Sequence, residues 1–126
     1  FNTPPTYAIY IAGLVFDHIK NLGGVAAIEK INRDKAAMLY EAIDNAKLFK
    51  AHVSDPRYRS LMNVPFVLPD EELTKKFLDG AKKQGLVTLK GHRSVGGCRA
   101  SIYNAMPVEG VKKLVDYIKR FDAENA

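Results

Sequence analysis

The chain is poor in the residues that staple or metallate a small fold. It holds a single cysteine, Cys98, in 126 residues. No internal disulfide can form, which suits a reducing compartment, and a cytoplasmic location is expected. Of the three histidines, His18 and His52 have no companion Cys, His or acid at metal-ligand spacing. Both read as structural or surface residues, and no metal is expected. Long apolar runs are also missing: the longest, Tyr7 to Phe16, is broken by Gly13 and ends at Asp17. That is well short of the roughly 20 residues a membrane helix needs. No basic cluster precedes an apolar core at the start, so no signal peptide is read. Repeats and low-complexity segments do not occur. The opening Phe-Asn-Thr carries no methionine, and the expectation is a piece of a longer or processed protein.

What is present is ordinary for a folded domain: 47% hydrophobic and 26% charged residues, enough for a core. The net charge of +5 raises the question of nucleic acid. A nucleic-acid module would gather its cations on one stripe. Here the lysines are scattered and sit among acids, as in Asp70-Glu71-Glu72 ahead of Lys75-Lys76. They read as solvated faces, and neither a nucleic acid nor a membrane is expected as a partner.

Local signals divide the chain into α, α, β, α, β, β, α. Asn2-Thr3 before Pro4-Pro5 is a helix start, with a polar residue placed to cap and proline suited to the first turn. From Tyr7 to Leu22 the residues are apolar nearly all round, which predicts a helix buried on most sides. Gly23-Gly24 then punctuates. Val25 to Ala46 reads as a second, amphipathic helix with Val25, Ile28, Ile31, Leu39 and Ile43 on its inner face. Met62 to Leu68 is a strand, and Pro65 predicts an edge position or a bulge. Asp70 caps a third helix whose inner seam is Leu73, Phe77 and Ala81. Short strands are predicted at Leu86–Leu89 and at Cys98–Tyr103. Pro107 opens the last helix, with Val108, Val111, Leu114, Val115, Ile118 and Phe121 as its stripe. The fold class is α+β: two long helices, then a small, mainly antiparallel sheet with helices on one face.

The chemistry concentrates in Gly91-His92-Arg93-Ser94-Val95-Gly96-Gly97-Cys98-Arg99-Ala100-Ser101-Ile102-Tyr103-Asn104. Each guanidinium is a planar fork that can grip a carboxylate or phosphate with two parallel hydrogen bonds. Two forks and an imidazole around a glycine pair describe a receptor for a small molecule with two anionic groups. The plain alternative is solvated surface charge on a turn.

This run through Pro107 resembles the C-terminal signature of the phosphoserine aminotransferase family. Asn2-Thr3-Pro4-Pro5-Thr6-Tyr7, Arg59-Ser60-Leu61-Met62-Asn63-Val64-Pro65-Phe66 and Leu89-Lys90-Gly91 resemble the same family in the same order. The resemblance implies the C-terminal small domain of a fold type I enzyme dependent on pyridoxal 5'-phosphate (PLP). Residues 1–24 would be a helix linking to a large domain upstream, and 25–126 the small domain. It implies transfer of an amino group between L-glutamate and 3-phosphohydroxypyruvate, giving O-phospho-L-serine and 2-oxoglutarate. It implies a homodimer in which Asn2 and Thr3 contact the phosphate of PLP held mainly by the neighbouring subunit. His92 and Arg93 match residues on the substrate phosphate, and Arg99 one on the α-carboxylate. No catalytic residue is assigned within the chain. The family's cofactor-binding lysine lies upstream of the matched region, so Lys90 is expected to be a surface residue and the chain inactive alone. A related PLP aminotransferase with another substrate, and a stand-alone anion-binding or interaction domain, are the competing readings.

Overall fold

The computed structural model describes residues 2–126, which fall into two compact units, one running up to Ile31 and the other Asn32–Ala126. The first unit holds helix α1 (Thr6–Asn21) and the opening turns of α2 (Gly24–Asp44). The helix starts where the prolines predict, but Pro5 occupies the cap position and no side chain caps it. Asn2 and Thr3 therefore remain uncommitted, a correction to the expected polar cap. The burial expected of α1 is not supplied within this chain. No residue of α1 is buried, and Tyr7 is 77% exposed. An apolar helix seeks cover, and its own unit supplies none. Among the described residues no single helix is long and apolar enough to cross a membrane.

The second unit is built on a three-stranded antiparallel sheet of β1 (Lys50–Ala51), β2 (Asn63–Val67) and β3 (Cys98–Ser101), in the order β1-β2-β3. Alternation along β2 and β3 turns Val64, Phe66, Cys98 and Ala100 into the core and leaves Asn63, Pro65, Val67, Arg99 and Ser101 half-buried on the other face. Helices α3 (Glu71–Lys83) and α4 (Val108–Asn125) and the latter half of α2 share that core. Phe77 sits at its aromatic centre, 5.1 Å from Phe49, 5.3 Å from Phe121 and stacked at 4.9 Å on Tyr117. The α+β architecture, the Asp70 cap (which accepts from Leu73 N–H at 2.7 Å) and the last helix agree with expectation. Tyr117 joins the predicted α4 stripe.

Pro65 departs from it. The proline lies in the central strand, not at an edge. Its missing N–H does little damage there, because it faces the point where β1 has already ended. His52 N–H donates to Pro65 O at 3.0 Å, and the return bond simply does not exist. On the other side Pro65 is opposite Arg99, whose N–H points away to Leu89 O at 2.7 Å.

Two further elements differ. Leu86–Leu89 forms no strand, since Thr88 takes a left-handed φ of 60° that breaks the extended chain. Only an isolated bridge, Lys90 to Cys98, remains of that pairing. On α2, Val25 and Ile31 are exposed, while Asn32 and Lys35 are buried. The Lys35 ammonium donates to Ile102 O, Tyr103 O and Met106 O at 3.1, 2.9 and 3.0 Å. Three carbonyls make a buried cation tolerable, although burial still pulls its pKa below the usual lysine value.

Candidate functional site: a cationic loop beside β3

The chain from Gly91 to Gly97 closes on itself before entering β3. Gly91 N–H donates to Gly97 O at 2.9 Å, and Val95 and Gly96 N–H both donate to His92 O, at 2.9 and 2.8 Å. Gly97 permits this entry: its φ is +60°, and a Cβ there would meet Phe66 O at 2.7 Å.

The turn presents His92 and Arg93 outward, both exposed. His92 Nδ1 lies 2.7 Å from Ser94 Oγ and also receives the Ser94 N–H at 3.3 Å. A backbone N–H can only donate, so Nδ1 acts as acceptor in the neutral ring and the proton sits on Nε2. The imidazole thus offers an N–H to a ligand. Ser94 is the residue that sets this, and its spacing of two from His92 is the one signal that could have revealed it.

His92 and Arg93, with Lys90, line one wall of an open groove of about 1380 Å³, whose other wall carries Lys75 and Lys82 of α3 among the acids Asp70, Glu71, Glu72 and Asp79. Arg99 does not line it. It is half-buried on the sheet face opposite the core. Its Nε is buried with no hydrogen-bond partner, and among the described residues no carboxylate pairs with its guanidinium. The loop therefore carries two separate anion-ready places, a turn and a strand. Asn2 and Thr3 are exposed ahead of α1 in the other unit. Lys90 is exposed, as are His18 and His52. No cluster of three or more metal-ligating side chains occurs among the described residues.

A family profile described as "Aminotransferase class-V" matches residues 1–114. The chain belongs to the class-V aminotransferase family. Among curated relatives, the phosphoserine aminotransferase of Bacillus cereus is 60% identical over 125 residues, covering 99% of this chain and 34% of its own length. That of Albidiferax ferrireducens is 63% identical over 121 residues, covering 96% of this chain and 32% of its own length. The chain thus spans about a third of the curated relatives it matches.

Solved structures agree with the fold. The phosphoserine aminotransferase of Bacillus circulans subsp. alkalophilus superposes with a TM-score of 0.92 at 43% identity, over 99% of this chain and 35% of that one. A PLP-bound phosphoserine aminotransferase from Trichomonas vaginalis gives 0.86 at 46% identity, over 94% and 34%. The class-V chain therefore has the α+β architecture its sequence implied, with the cationic loop set beside β3.

Proposed function

We propose that the protein containing this chain is a PLP-dependent phosphoserine aminotransferase. It would move an amino group between L-glutamate and 3-phosphohydroxypyruvate, giving O-phospho-L-serine and 2-oxoglutarate. The observation that carries this reading is a half-buried guanidinium with no counterion among the described residues, a few positions along the chain from an exposed His-Arg turn. Both substrates have a carboxylate at one end and a second anion at the other.

Arg99, held in a paired strand, would orient the α-carboxylate through a bidentate contact, and so place the α-carbon for reaction. His92, through Nε2–H, and Arg93 would supply charge-assisted donors to the phosphate. The residues at the N-terminus fit a cofactor contact as well. The Asn2 amide and Thr3 hydroxyl are exposed, and the start of α1 does not use them as a cap. They would hold oxygens of the PLP phosphate contributed by a second subunit, making the working enzyme a homodimer. When bound, PLP supplies the electron sink that amino-group transfer requires. Small anions, not nucleic acid or a membrane, are the partners this loop suits. The lone buried thiol is in keeping with the cytoplasm.

The test is Arg93→Ala in the full-length enzyme, followed by single-turnover kinetics of each half-reaction. Loss of a charged hydrogen bond should lower kcat/KM for 3-phosphohydroxypyruvate by roughly ten- to a hundredfold. The glutamate half-reaction should fall less, since its distal group is a single carboxylate. Equal loss for both would show that Arg93 supports the fold and does not read the phosphate. It would favour an aminotransferase of an unphosphorylated substrate.

A further inference from the structure

The sheet face that carries Arg99 also carries a closed hydrogen-bonded set. Ser101 Oγ donates to Asn63 Oδ1 at 3.0 Å, Asn63 Nδ2 donates to the Tyr103 hydroxyl at 3.0 Å, and that hydroxyl lies 3.2 Å from Asn63 Oδ1. Asn63 is opposite Ser101, and Pro65 is opposite Arg99. Asn63 and Arg99 are therefore diagonal neighbours on one face, a separation of about 7–8 Å between Cα atoms that a long side chain spans. Directly across from Arg99, the proline ring offers no polar side-chain group.

The same unit shows what an arginine does when a carboxylate is in reach. Arg59 is gripped by both oxygens of Asp44, at 2.6 and 2.9 Å. An acid at position 63 could accept the Ser101 and Tyr103 hydroxyls as well as the amide does, and would also draw in Arg99. The neutral amide satisfies those hydroxyls and gives Arg99 no counterion.

We infer that Asn63 is a positioning residue: by bonding Ser101 and Tyr103 as an uncharged amide, it keeps the Arg99 guanidinium unpaired and open to the substrate carboxylate. The inference rests on the role proposed above for Arg99. The test uses the full-length holoenzyme with Asn63→Asp, Arg99→Ala and the double variant, reading KM and kcat for L-glutamate and for 3-phosphohydroxypyruvate together with the thermal midpoint. Asn63→Asp should raise KM for both substrates by roughly tenfold, from competition by a charge-assisted pair. Neither kcat nor the thermal midpoint should fall appreciably. In the Arg99→Ala background the same substitution should add nothing, because the group it captures is gone. Should Asn63→Asp not yield folded enzyme, Ser101→Asp places the acid two residues along β3 on the same face, with the same expectation. Unchanged KM in the folded acid variant, or an equal penalty with and without Arg99, overturns the inference alone. Carboxylate affinity unaffected by Arg99→Ala overturns the Arg99 assignment and this inference with it.

Discussion

At the scale of single residues, the fold treats its arginines in opposite ways. Arg59 is fully spent: besides Asp44 it donates to Val53 O at 3.1 Å and lies 4.6 Å over the Tyr40 ring. Such a planar stacked fork is structural, and it explains why an arginine in a matched motif need not touch substrate. Arg99 is left unspent. Its neighbour Cys98 points the other way, 1% exposed, and burial pushes the thiol from 9.0 up to about 12. Below pH 9 both folded and unfolded chains keep this proton. Between 9 and 12 the unfolded chain loses it first, so stability drains away as pH rises through that window. At pH 10.5 the loss from this one group should be about 1–2 kcal/mol. Tyr40 and Tyr117, also raised by burial, act in the same direction. Comparing wild type with Cys98→Ala isolates the thiol: the drop in thermal midpoint from pH 8 to 10.5 should be smaller in the variant. Equal drops would place the thiol in contact with solvent.

At the scale of elements, helices were legible and pairing was not. Asp70 with Glu71-Glu72, and Pro107 before a clean apolar stripe, are local signals that α3 and α4 obey. Strand β1 has two residues and no period to read; it exists because Phe66 and Val67 offer an edge to it. The inner face of α2 departs from its apolar period for the same reason. Lys35 looks solvent-facing until the carbonyls of Ile102, Tyr103 and Met106 are brought to it from about 70 residues away. Alongside, Asn32 Nδ2 donates to Asn104 Oδ1 at 2.7 Å. These bonds tie α2 to the segment that follows β3. Lys35→Met would keep the volume and strand three acceptors, and should cost about 3 kcal/mol or more. Thermal or urea unfolding checks this, and a loss under about 1 kcal/mol would mean that water replaces the ammonium without penalty.

At the scale of the whole molecule, the first unit exposes what a folded protein normally hides. Tyr10, Leu14 and Phe16 of α1 are 64%, 49% and 68% exposed, with Tyr7 and Ile9 beside them. A contiguous apolar surface of this kind exceeds what monomers tolerate. The 126-residue chain by itself should therefore self-associate at micromolar concentration, and replacing Tyr10 and Phe16 by serine should weaken the association. Sedimentation velocity reads both. A monodisperse monomer over that range, with α1 protected from hydrogen exchange, would contradict the expectation.

The sequence by itself determined the α+β class, the extents of the helices, the α3 cap and which stretch bears the cationic groups. Those follow from periodicity, proline and aspartate placement, and residue type, all of them properties of neighbours along the chain. Only the tertiary structure decided that Pro65 sits mid-sheet and that Thr88 turns the predicted strand aside. It alone decided that Ser94 orients His92, that Asp44 occupies Arg59, and that Asn63 lies diagonal to an unoccupied Arg99. Each of those depends on groups meeting across a sheet or a turn, where hydrogen-bond satisfaction and register, not local preference, fix the outcome.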